Sequence, residues 1–127
     1  MKLLLTIVAC AVFMVGCKPS NEQITEIAKN EISEMMKDPA STKFSELLTK
    51  ELSGVSNNGK SAYCVFGRVN GKNSFGAYSG FSPFAITIVT ESGLIPFTKP
   101  TYNVASKIVV HNDVDSIHYK AIQQLCN

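Results

Sequence analysis

An uncharged apolar run from Leu3 to Gly16, led by the single basic residue Lys2, constrains this chain more than any other feature. A permanent transmembrane span needs about 20 apolar residues to cross the hydrocarbon core, and this run is shorter. A basic start, an apolar stretch of this length and a small residue before a cleavage point match a secretory signal. The expectation is that residues 1–16 are removed and take no part in the core. Residues 17–127 then form a single exported domain in a compartment where disulfides persist.

The rest of the composition fits one domain. Of 127 residues, 45% are hydrophobic and 17% charged, which is too apolar and too sparsely charged for a wholly disordered chain. The formal charge is +2 and falls nearer neutrality once Lys2 leaves with the signal. No concentrated basic footprint appears, so a nucleic-acid partner is not expected. With no Trp and only two His, multi-histidine metal sites are largely excluded, and no cofactor motif is present.

Met14-Val15-Gly16-Cys17 closes the apolar run. It resembles the lipobox of bacterial lipoproteins, in which the cysteine is lipidated and becomes the first mature residue. Met14 stands where Leu is usual, while the small residue before the cysteine is retained. Ile7-Val8-Ala9-Cys10 is similar too, but cleavage there would leave only Leu3 to Ala9 as an apolar core, which favours Cys17. The resemblance implies several acyl chains, palmitate among them, and therefore firm membrane anchoring, since each buried methylene contributes about 0.8 kcal/mol. Lys18 follows the cysteine where an Asp would signal retention in the inner membrane. This favours a lipoprotein of the outer membrane facing the periplasm.

With Cys10 discarded and Cys17 acylated, Cys64 and Cys126 remain as an even pair. A structural disulfide between them is the expectation, its chain-entropy contribution at most roughly 4 kcal/mol. Two buried free thiols or a catalytic thiol are the alternatives. No C-x-x-C spacing supports redox chemistry, and no cysteine-protease signature surrounds Cys64.

Along the mature chain, Ser20 and Gln23 make an S-x-x-Q capping box opening an amino-terminal helix. Ile24, Ile27, Ala28, Ile32, Met35 and Met36 recur on one face at three- and four-residue spacing. Asp38-Pro39 ends the helix, because a residue before proline is pushed out of helical geometry. Phe44 to Leu52 suits either a helix or a strand, with turn signals on both sides favouring the strand. Ala62 to Val69 and Phe84 to Thr90 have strand character, and Ser106 to His111 suits a last strand. Asn112 or Asp113 caps a final helix with Val114, Ile117, Ala121, Ile122 and Leu125 along one face. The fold expected is α+β: an amino-terminal amphipathic helix and a carboxy-terminal helix packed on an antiparallel sheet of about four strands.

The unusual segment is Gly67 to Phe84, GRVNGKNSFGAYSGFSPF. Its aromatics recur every third residue, which matches neither a strand nor a good helix. One reading is core aromatics spaced by permissive glycines in a bent hairpin. The other is a candidate binding surface formed by Arg68, Lys72, Asn73, Phe75, Tyr78 and Phe81. The glycines fit neither a phosphate loop nor a dinucleotide fingerprint.

This segment, with Asp38-Pro39-x-Ser41-x-x-Phe44 upstream, resembles a family of small uncharacterised bacterial and prophage-associated exported proteins. Their pattern is D-P-x-S-x-x-F followed by C-G-x-V-N-x-K-N-x-F-G-G-Y-x-G-F. Gly67, Val69, Asn70, Lys72, Asn73, Phe75, Gly76, Tyr78, Gly80 and Phe81 match it. Phe66 stands in place of the cysteine, with Cys64 two positions earlier, and Ala77 replaces a glycine. Strand neighbours two apart share a face, so a disulfide can survive that shift. The family implies no activity.

Catalytic constellations are not apparent. His111 and His118 have no Ser, Cys or carboxylate partners in a triad pattern. Asp113, Asp115 and His118 could ligate a metal, but a capped helix start accounts for the acids more simply. The leading functional expectation is a non-enzymatic, lipid-anchored envelope protein binding a protein partner or a cell-wall glycan. A prophage-encoded protective lipoprotein, acting in phage exclusion or toxin immunity, is the alternative. A cell-wall hydrolase is the third.

Overall fold

The computed structural model describes residues 18–55, 59–92 and 101–127. The proposed signal, Cys17 and the proline-bracketed stretch 96–100 lie outside the described residues. The fold is α+β. Helix α1 (Asn21–Ser33) is followed by a short 3-10 turn at Pro39–Ser41, then strands β1 (Lys43–Glu51), β2 (Lys60–Asn70), β3 (Ser82–Glu91) and β4 (Thr101–Val109), and helix α2 (Asp113–Leu125). The four strands form one antiparallel sheet in the order β1-β2-β3-β4. A helix covers each face, giving three layers.

The first helix begins where its donors are capped. The Ser20 hydroxyl accepts from the Gln23 amide, and the Gln23 side chain accepts from the Ser20 amide. Ile24, Ala28 and Ile32 are fully buried against Tyr63, Val65, Val69, Phe84, Ile86 and Ile88. The helix ends at Ser33, short of Asp38, so Met35 and Met36 lie beyond it. Met35 is exposed, whereas Met36 folds back onto the core beside Gly71, where a Cβ would stand 2.9 Å from the Met36 sulfur. Asp38 does not cap the 3-10 turn with a side-chain bond to the backbone; its carboxylate accepts from the Ser41 hydroxyl at 2.7 Å.

β2 is buried on both sides of the sheet along most of its length, as a strand covered by a helix on each face must be. β1 is irregular: its register on β2 shifts between Ser45 and Leu48, and Glu46 takes a positive φ of 54°. The bulge turns Leu47 onto Gly67, where any Cβ would lie 2.8 Å from both Leu47 and the Phe84 ring and would force them to shift. β4 starts at Thr101, five residues earlier than the sequence pattern suggests. Its early residues are exposed edge positions with no apolar alternation to mark them.

The second face is thinner. Cys64 and Ala85 from the sheet meet Ile122 and Cys126 from α2, with Phe66, Ile108 and Tyr119 at the margin. Cys64 and Cys126 stand at disulfide distance, their α-carbons 6.3 Å apart. Phe66 shares their face and packs edge-on against Tyr119, with centroids 6.1 Å apart. The face of α2 turned inward is not the one its apolar spacing suggests. Ile122 is buried, but Val114, Ile117, Ala121 and Leu125 are exposed, and Tyr119 and Cys126 take their place.

Ion pairs secure the periphery of α1. Lys18 pairs with Glu51 at the end of β1, and accepting that hydrogen bond lets the Glu51 carboxylate hold the Lys18 ammonium above its ordinary pKa. Glu31 accepts from Lys107 at 3.0 Å and from the Tyr102 hydroxyl at 3.3 Å, joining α1 to β4.

Candidate functional site

The connection from β2 to β3 runs from Gly71 to Phe81 and is neither strand nor helix, apart from one antiparallel bridge between Lys72 and Tyr78. Its shape is held by asparagines. Asn73 Oδ1 accepts from the amides of Phe75 at 3.0 Å and Ala77 at 3.1 Å, and the Asn73 amide donates to the Ala77 carbonyl at 2.8 Å. Asn70 Oδ1 accepts from the Gly80 amide at 3.1 Å. Gly76 and Gly80 take φ values of 78° and 105°, conformations that side chains resist. Each asparagine satisfies backbone donors that a loop of this length would otherwise expose to water.

The loop leans toward α1. Tyr78 donates its hydroxyl to the Ser41 carbonyl at 2.7 Å, Lys37 bonds the Ser74 hydroxyl, and Gly71 meets Met36. Two ammonium groups stand over the Tyr78 ring, Lys43 at 4.4 Å and Lys72 at 5.6 Å from its centroid. Among the described residues, Lys37, Lys43 and Lys72 have no carboxylate within ion-pairing distance. A shallow cleft of about 270 Å³ opens beside the loop, with Met35, Lys37, Lys72, Asn73 and His111 in its lining.

The rings are not core. Phe75 is 95% exposed, Tyr78 38% and Phe81 39%; of this aromatic series only Phe84 is buried. The bent-hairpin reading therefore holds for Phe84 and fails for the other three, because the loop's own hydrogen bonds, not a packed interior, fix its conformation. Arg68 stands apart from the rest. It alternates with Phe66 and Cys64 on the α2 side of the sheet, where it donates to the Phe81 carbonyl at 3.3 Å and lies 3.8 Å from Glu46. The structure thus brings Lys72, Asn73, Phe75 and Tyr78 together on one loop. Lys37 and Lys43, which sequence spacing did not single out, join them through chain reversal.

The acids near the second helix have local duties. Asn112 caps α2 by accepting from the Asp115 amide, and Asp115 accepts from the His111 amide at 3.0 Å. No group of three His, Cys, Asp or Glu that could hold a metal occurs among the described residues. No described helix is long and apolar enough to cross a membrane. No family model matches this chain, and no curated protein or solved structure matches it either.

Proposed function

We propose that this is an exported lipoprotein, acylated at Cys17 and held on the outer membrane facing the periplasm, whose β2–β3 loop binds a partner protein without catalysis. The observation that carries the binding role is Phe75, a nearly fully exposed ring on a loop locked by Asn70 and Asn73. Exposure of such a ring forgoes roughly 1.5–3 kcal/mol of burial. A loop already fixed in shape loses little further entropy on binding, so more of that gain appears as affinity. An aromatic anchor ringed by adaptable polar groups is the usual arrangement of an interface hot spot. Lys43 and Lys72 approach the Tyr78 ring of the same loop and Lys37 bonds its Ser74, all three without carboxylate partners among the described residues, so the complementary surface carries acidic groups.

Anchoring is supported by Gly16-Cys17 after the apolar run and by the short Lys18-Pro19-Ser20 connection to α1. The test is photocrosslinking in intact cells from position 75, with Lys60 at the opposite end of the sheet as control. A discrete protein adduct is expected from position 75 and none from position 60. Absence of any adduct at position 75 would refute the binding role.

A further inference from the structure

The exposed face of α2 is an apolar feature that the binding loop leaves unexplained. Val114, Ile117, Ala121 and Leu125 are three or four residues apart, so they form one stripe along the helix. Val114 is 61% exposed, and Ile117 and Leu125 are each 66% exposed. None belongs to the buried face of the helix, which consists of Tyr119, Ile122 and Cys126. Lone exposed aliphatic residues are ordinary, but an aligned row on one helix marks a surface that something covers.

The course of the chain identifies what covers it. Only Lys18, Pro19 and Ser20 separate Cys17 from the start of α1, a tether of about 10 Å when extended. A domain acylated at Cys17 therefore rests directly against the headgroups. Lys18 is fixed to Glu51 at the end of β1, and the adjacent Lys50 lies 3.4 Å from the side chain of Asn127, just past the end of α2. The tether thus leaves the domain beside the Leu125 end of the stripe. Lys50 and Lys120 supply positive charge toward this end, whereas Asp113 and Asp115 lie at the far end. The binding loop leans to the opposite, α1 side of the sheet and stays clear.

We propose that Val114, Ile117, Ala121 and Leu125 of α2 lie in the interfacial layer of the membrane that carries the anchor, so that the helix is a second, non-covalent membrane contact. This rests on the reading that Cys17 is acylated. Acyl chains at Cys17 hold the domain at the surface without orienting it, and an apolar helix face adds buried area that fixes the domain's orientation. The binding loop is then presented away from the bilayer.

The chain contains no Trp, so one introduced residue reports alone. Mature lipidated protein carrying Ile117→Trp, and separately Phe75→Trp, is placed in phosphatidylethanolamine–phosphatidylglycerol vesicles with or without brominated acyl chains. Trp at 117 should shift to the blue and lose about half its emission or more to brominated lipid, as an interfacial residue does. Trp at 75 should be unaffected. Val114→Trp repeats the measurement should the first variant misfold by circular dichroism. Equal, weak quenching at 117 and 75 in protein that floats with the vesicles overturns the proposal while leaving the anchor intact. A blue shift that is present in detergent and rises with protein concentration also overturns it, assigning the stripe to a second copy. Failure to float removes the anchoring reading itself, and the proposal falls with it.

Discussion

Replacing Cys126 with serine tests how the second layer of this fold is held. The pair it disrupts closes a loop of 62 residue steps, and chain entropy assigns that closure roughly 4 kcal/mol as an upper figure. For a domain of this size each kcal/mol moves the thermal midpoint by about 4 °C, so the ceiling on the shift is near 15 °C. Local packing does little to offset the loss. Within α2, only Ile122 is a buried aliphatic, contributing about 2 kcal/mol, and Tyr119 adds one edge-on contact with Phe66. A helix of 13 residues is marginal without tertiary support, so α2 should loosen before the sheet does. Thermal melts followed by circular dichroism should show the lowered midpoint, and hydrogen exchange should quicken in Asp113–Leu125 first. Wild-type protein in reductant should match the variant, and reductant should do nothing further to Cys126→Ser. An unchanged midpoint, or a variant that still responds to reductant, would refute the reasoning and leave the helix held by side-chain packing alone.

Other outcomes follow from single contacts. Gly67→Ala places a methyl group against Leu47 and Phe84 and should lower stability by about 1–3 kcal/mol in urea titrations; a neutral result would mean the β1 bulge yields freely. Ser20→Ala removes one half of the capping box and should cost about 1 kcal/mol by the same assay. Cys17→Ser should release the protein from the membrane fraction, with mass spectrometry showing an unacylated product; retention of that variant in the outer membrane would contradict lipid anchoring.

The class of fold is legible in the amino-acid pattern alone. Apolar, β-branched runs in Ala62–Val69 and Phe84–Thr90 bounded by turn signals, and helical spacing near both ends, identify an antiparallel sheet with two helices, because a strand covered on both faces is apolar throughout and a surface helix only along one stripe. The pattern also pointed to the segment that now forms the candidate site, through glycines and rings whose three-residue spacing suits no regular element. What it did not reveal was which way those rings face. Exposure of Phe75 depends on Asn70 and Asn73 bonding the loop to itself, and on Met36 and Ser41 receiving it from another part of the chain. The β1 bulge was likewise illegible, since it brings Leu47 over Gly67, a contact between residues twenty apart in the chain.

The rotation of α2 is the clearest case. By apolar spacing the helix should bury Val114, Ile117 and Leu125, yet it is turned by roughly a third of a turn or slightly more, at about 100° per residue, to place Tyr119 and Cys126 inward. Local periodicity ranks the faces of a helix by hydrophobicity alone. Only the assembled sheet decides where Cys64 and Ala85 lie, and the helix packs on them through Tyr119, Ile122 and Cys126, which leaves its most aliphatic stripe in contact with the outside.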